Sequence, residues 1–70
     1  MSIQVRSEIT GNIWKLQTAE GAVVGAGETL LIMESMKMEI VVEAPSGGVC
    51  RFKVAEGDSV QEGELLAVIE

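Results

Sequence analysis

One run of residues combines a nucleophile with an unusual setting. In Glu34-Ser35-Met36-Lys37-Met38-Glu39 a lysine stands between two methionines, with a glutamate beyond each. A lysine amine can be acylated, but a free one titrates near 10.4 and is mostly charged at neutral pH, so it does not acylate itself. It needs exposure and an activated donor. Apolar runs approach from both sides, Leu30-Leu31-Ile32-Met33 and Ile40-Val41-Val42. Two short apolar runs joined by a few mixed residues read as a β-hairpin, with Lys37 near its tip and its ammonium in solvent. Met36 and Met38 would then be partly exposed, which folding alone does not call for. Flexible, polarisable methionine suits a surface that several partners touch in turn.

Composition narrows the alternatives. A chain of 70 residues is one domain, taken as 1–70. At this size a fold buries only about 60% of its unfolded surface. The lone Cys50 allows no internal disulfide; it reads as a small core hydrophobe and suits a reducing, cytoplasmic setting. The absence of histidine excludes a His-Cys zinc site, a Ser-His-Asp triad and a Cys-His dyad within the chain, and no metal is expected. A net charge of −6 with one Trp, one Phe and no Tyr argues against nucleic acid, whose phosphates need Lys and Arg. No apolar run approaches a membrane span. The opening Met1-Ser2-Ile3-Gln4-Val5-Arg6 lacks the apolar stretch of a signal peptide, so a cytoplasmic protein is expected.

The elements that must position Lys37 read as short strands. Ile3–Arg6 alternates apolar and polar. Asn12–Thr18 follows Gly11, and Trp14 within it reads as a half-exposed packing residue. Glu20-Gly21 and Gly25-Ala26-Gly27 are turn signals. Strands are expected over Thr29–Met33, Glu39–Glu43, Val49–Val54, briefly at Ser59-Val60, and over Leu65–Ile69. Residues 28–39 are rich in helix formers, but they give no clean apolar stripe, and Ile40-Val41-Val42 favours strand.

An internal repeat decides between helix and strand. At an offset of 36, Gly11 meets Gly47, Ala19-Glu20-Gly21 meets Ala55-Glu56-Gly57, and Val24, Gly27, Glu28 and Leu30 meet Val60, Gly63, Glu64 and Leu66. Residues 64–70 carry no Met or Lys and read plainly as strand, so residues 28–34 should be strand too. Ile13, Leu16 and Thr18 match Val49, Phe52 and Val54, a skip of three then two that suggests a β-bulge or a sharp bend in each copy. Two half-sandwiches, each too small to hide its own apolar face, should pack together as an all-β sandwich or flattened barrel. The expected inward residues are Val5, Ile13, Leu16, Val24, Leu30, Ile32, Val41, Val49, Phe52, Val54, Val60, Leu66 and Val68.

Met36-Lys37-Met38 resembles the attachment loop of the biotin carboxyl carrier family, within the biotinyl and lipoyl attachment domains. Gly57-Asp58-Ser59-Val60-Gln61-Glu62-Gly63 and Ala44-Pro45-Ser46-Gly47 resemble two further segments of that family, so the likeness covers nearly the whole chain. It implies a barrel-sandwich hybrid of two four-stranded antiparallel sheets with quasi-two-fold symmetry. It implies covalent biotin on Lys37, attached by a biotin protein ligase through biotinyl-adenylate. Lys37 would be the sole site, because Arg6, Lys15, Arg51 and Lys53 lie in expected strands. It implies recognition of Glu34 by the ligase, and use of Met36 and Met38 by biotin carboxylase and carboxyltransferase subunits, between which the arm carries carboxylate. A carrier rather than an enzyme is expected, with no catalytic acid or base of its own. The chain departs from the family at Ala22, where Asp is usual, at Ser35, where Ala is common, and at Glu8-Ile9-Thr10, where Pro-Met-Pro is often found. A protruding thumb has no room.

Two other readings compete. A lipoyl carrier shares the fold but usually has Asp-Lys-Ala at its lysine, and an unmodified structural barrel has no need of a lysine between methionines. The repeat also predicts geometry: the symmetry equivalent of the lysine turn is the chain's own start, so both ends should lie opposite Lys37.

Overall fold

The computed structural model describes residues 2–70. Among these residues lie eight strands and no helix: β1 (Ile3–Arg6), β2 (Gly11–Leu16), β3 (Val23–Val24), β4 (Thr29–Ser35), β5 (Met38–Glu43), β6 (Gly48–Phe52), β7 (Ser59–Val60) and β8 (Leu65–Ile69). They pair antiparallel in two four-stranded sheets, ordered β1-β8-β6-β3 and β5-β4-β2-β7. The all-β, two-sheet expectation is met. β3 is the strand that patterning did not give, although its repeat partner β7, equally short, was expected. β6 stops at Phe52, short of the expected Val54.

Each sheet draws strands from both halves of the chain, β1 and β3 joining β6 and β8 in one, β5 and β7 joining β2 and β4 in the other. The halves are therefore interlocked rather than stacked as separate units. Their hydrogen bonds come in matched pairs. The Gly21 amide donates to the Cys50 carbonyl at 2.7 Å, and the Gly57 amide to the Ile13 carbonyl at 2.7 Å. The Phe52 amide donates to the Glu20 carboxylate at 2.7 Å, and the Leu16 amide to the Glu56 carboxylate at 2.9 Å. The repeated Ala-Glu-Gly thus has a cause. Each copy's glutamate and glycine hold a strand of the other half, satisfying amides that would otherwise lack a partner.

The interior falls into two clusters that are images of each other. One holds Val5, Val24, Leu30, Ala44, Cys50, Ala67 and Ile69; the other holds Ile13, Leu31, Met33, Val60 and Leu66. A fully buried Leu, Ile or Val contributes roughly 1.5–3 kcal/mol, so these clusters dominate the stability. Cys50 is wholly buried, the small core residue expected. Leu16, Phe52 and Val54 pack against the clusters as half-buried residues.

Alternation misplaced four positions. The inward residues of β4 are Leu30, Leu31 and Met33, and those of β8 are Leu66, Ala67 and Ile69. The β4–β5 register shifts between Thr29 and Leu31, and β1–β8 shifts between Val5 and Arg6. Each irregularity turns two consecutive residues inward and reverses the faces beyond it. Ile32 and Val68 consequently lie half-buried on outer faces, and Val41 is 50% exposed. The fourth is Val49, whose place is taken by Cys50. A bulge occurs in β2, where Trp14 is the extra residue between Ile13 and Lys15. β6 pairs regularly with β8, so of the two alternatives a bulge is found only in the first copy. The structural equivalent of Ile13 is therefore Cys50, an offset of 37, and only past the bulge does the offset of 36 hold.

Candidate functional site

Lys37 sits where the chain was expected to place it, at the tip of the β4–β5 hairpin. Ser35 pairs with Met38, leaving Met36 and Lys37 as the two turn residues. Their φ angles are 50° and 65°, and among the described residues they are the non-glycine positions with positive φ. Two left-handed residues in a two-residue loop make a type I′ turn, whose twist matches the flanking strands. Asn-Gly is the usual occupant, and left-handed backbone costs an ordinary L-residue roughly 1–2 kcal/mol. The turn therefore carries strain at the residue of chemical interest, which is where strain concentrates in functional sites.

The side chains of this turn are free of the fold. Met36 is 93% exposed and Met38 60% exposed, and Lys37 is exposed as well. The ion pairs among the described residues join Arg51 to Glu20 and to Glu70 and do not involve Lys37. Glu34 is exposed and stands directly across from Glu39 at the hairpin's neck. Like charges in that position repel. The site thus presents an amine between two apolar side chains, with two carboxylates behind them. Arg6, Lys15 and Arg51 lie within strands, and Lys53 just past β6. All are exposed, so a turn position, not exposure, distinguishes Lys37.

The hairpin's base is held by residues that sequence reasoning did not single out for the site. The Ser35 hydroxyl donates to the Thr10 carbonyl at 2.7 Å, and the Thr10 hydroxyl accepts from the Glu62 amide at 3.2 Å. Ser35 thus contributes its side chain to this bond and Thr10 its backbone carbonyl. Gly11 abuts the same base: a Cβ there would lie 2.6 Å from the Glu34 carbonyl oxygen. Its image Gly48 stands 2.5 Å, by the same measure, from the Glu70 carbonyl oxygen. Repetition of glycine at a strand start was the signal available. Beneath the hairpin the buried Ser7 hydroxyl donates to the Ile9 carbonyl and meets the Met33 sulfur at 3.4 Å.

This is not a pocket. An open groove of about 430 Å³ lies between the free edges of β1 and β5, and Met36, Lys37 and Met38 do not line it. No group of three or more His, Cys, Asp or Glu among the described residues could hold a metal ion. No helix among them is long and apolar enough to cross a membrane. What the arrangement offers is an exposed amine at the end of a two-stranded hairpin.

Comparison with known proteins supplies a family. A family model described as biotin-requiring enzyme matches residues 4–69. The chain is 43% identical over 70 residues to a protein called biotinylated protein TB7.3 homolog from Mycobacterium leprae, covering 99% of each. It is 43% identical over 67 residues to urea amidolyase of Saccharomyces cerevisiae, covering 94% of this chain but spanning only 4% of that protein. Among solved structures, the urea carboxylase of Kluyveromyces lactis superposes with a TM-score of 0.93 at 39% identity, over 100% of this chain and 6% of that one. The lipoyl domain of the 2-oxoglutarate dehydrogenase complex from Azotobacter vinelandii superposes with a TM-score of 0.82 at 25% identity, over 97% of this chain and 95% of that one.

Proposed function

The chain belongs to the biotin/lipoyl attachment family, and on that premise we propose that it is a biotin carrier, holding biotin in amide linkage to the Nζ of Lys37. The observation that carries this reading is the turn itself: Lys37 and Met36 occupy both left-handed places of a two-residue loop, and their side chains have no structural task. The residues present fit the group, since an exposed amine at a hairpin tip can enter a ligase site and the flanking methionines give an apolar collar.

Attachment forms a carbon–nitrogen bond at Nζ, displaces AMP from biotinyl-adenylate and releases protons, so the lysine loses its positive charge. Bound biotin would supply a ring nitrogen able to take up and give back carboxylate. The chain's own residues present and position. The type I′ turn fixes the direction in which the Lys37 stem leaves the hairpin. Gly11, Ser35 and Thr10 fix the hairpin's base. Glu34, beside its repelling partner Glu39, offers the ligase a carboxylate to recognise. Met36 and Met38 give the biotin carboxylase and carboxyltransferase an adaptable apolar contact. These are the partners we assign to it, in the cytoplasm.

The test is intact-mass measurement after incubation with a biotin protein ligase, ATP and biotin. One biotinyl group is expected on the natural chain and none on Lys37→Arg, whose guanidinium stays protonated. Labelling of the arginine variant would refute the assignment. Lipoylation of the natural chain in preference to biotinylation would move it to the lipoyl branch of the fold. In the labelled Met36→Leu/Met38→Leu variant, slower carboxyl transfer at unchanged labelling is expected.

A further inference from the structure

The outer face of the lysine-bearing sheet carries an apolar row that the fold does not require. Lys15 pairs with Ile32, and Ile32 with Val41, with Trp14 bulged out beside Lys15. Trp14 is 44% and Val41 50% exposed, and the Lys15 ammonium lies 5.7 Å from the Trp14 ring centre. The quasi-two-fold provides an internal control. The equivalent row on the other sheet runs Arg51, Val68, Gln4, with Arg51 tied to Glu20 and Glu70 and Gln4 bonded by Arg6. In that row the charged groups are tied to one another, and although Val23 is 80% exposed at that sheet's far edge, opposite Val49, Trp14 has no counterpart there. The row on the lysine-bearing sheet is apolar, and the carboxylates of that sheet, Glu34, Glu39 and Glu43, make no ion pair among the described residues.

Resting on the biotin-carrier reading, we propose that the row Trp14–Ile32–Val41 is the docking face for the enzyme that loads carboxylate onto the arm, and that this enzyme offers an apolar patch ringed by Lys and Arg. Charge selects a protein with a basic rim. An anionic lipid surface or a nucleic acid is repelled by the three glutamates, and a second copy brings the same acidic face and a net charge of −6. Position supports it. Ile32 lies three residues before Ser35 on the strand that ends in the lysine turn, about 10 Å at the rise of a β-strand. A protein seated on the row therefore reaches the root of the arm.

The experiment uses the full chain labelled with biotin, a free biotin carboxylase subunit as probe, ATP and bicarbonate, with the chain as the varied substrate. Compared are the natural chain, Trp14→Gln/Val41→Thr, and Glu43→Lys. Thermal melting establishes that each is folded. The apolar double variant should raise KM about tenfold while kcat changes less than about twofold, the pattern of lost uniform binding. Glu43→Lys should raise KM less, and the natural chain's KM should climb with salt. Unchanged KM in the double variant, a KM indifferent to salt, or no saturable carboxylation of the labelled natural chain would each overturn the proposal. So would a dimer in sedimentation that the double variant abolishes, since the occupant would then be a second copy. Failure of the ligase to label Lys37 at the outset would instead count against the carrier reading.

Discussion

Lys37 could be found from residue type and spacing, because nothing in a small sandwich calls for a lysine between two methionines. Its backbone could not. A type I′ turn is normally announced by Asn-Gly, and Met-Lys carries no such mark, so the strain at φ 50° and 65° became visible only with the fold. Relieving half of it should show. Met36→Asn is expected to raise unfolding free energy by about 1 kcal/mol in urea titrations, since Asn tolerates left-handed backbone. No gain would mean the exposed methionine side chain contributes something the turn geometry does not reveal. Cys50 supplies a pH test. Burial, and then the nearby Glu20 charge, push its thiol above the ordinary range. A group with a raised folded-state value lends stability that is complete at low pH and lost as pH climbs past the unfolded value to the folded one. Stability should therefore fall on the alkaline side, and less steeply in Cys50→Ala. Equal slopes for the two proteins would rule out the thiol as the cause.

At the scale of elements, the repeat located the strands and the irregularities defeated alternation. Leu30 and Leu66 are the extra residues of matched bulges, and a run of apolar side chains such as Leu30-Leu31-Ile32-Met33 gives no hint of which neighbours share a face. Trp14 shifted the comparison by one residue, which put Val49 where Cys50 belongs. Two turns that should be images also differ in one contact. The Asp58 carboxylate accepts from the Ala55 amide at 2.9 Å, whereas Ala22 at the equivalent place has no carboxylate to offer Ala19. Ala22→Asp should restore the match and add about 1 kcal/mol, a typical net hydrogen bond, read from the denaturation midpoint. Gly11→Ala should do the reverse. Its Cβ would press on the Glu34 backbone, and overpacking of that kind costs about 1–3 kcal/mol. Ligase labelling should slow as the hairpin base shifts, and an unaffected melting point would show that β2 can retreat without loss.

For the whole molecule, similarity between halves was legible but their interlocking was not, because an offset reports likeness and says nothing of which strand lies beside which. Ile3 pairs with Ile69 as Met33 pairs with Ile40, so β1–β8 is the image of the lysine hairpin without its turn. The hairpin's base neighbours Thr10 and Gly11, while Glu70 neighbours Val49 and Gly48, two sets with no residue in common. A folded domain fused to either end should therefore leave the ligase labelling rate within about twofold of the bare chain, since the encounter needs only the tip patch; a strong slowing by either fusion would contradict the two-ended arrangement. The exchange of strands between sheets also bears on descent. Neither sheet can be completed by one half, yet two identical halves would complete both. An ancestral peptide of half this length could have reached the fold only as a homodimer, with two equivalent hairpins. Duplication and joining of its gene would have left one turn closed, the one that carries Lys37, and its image open between β1 and β8.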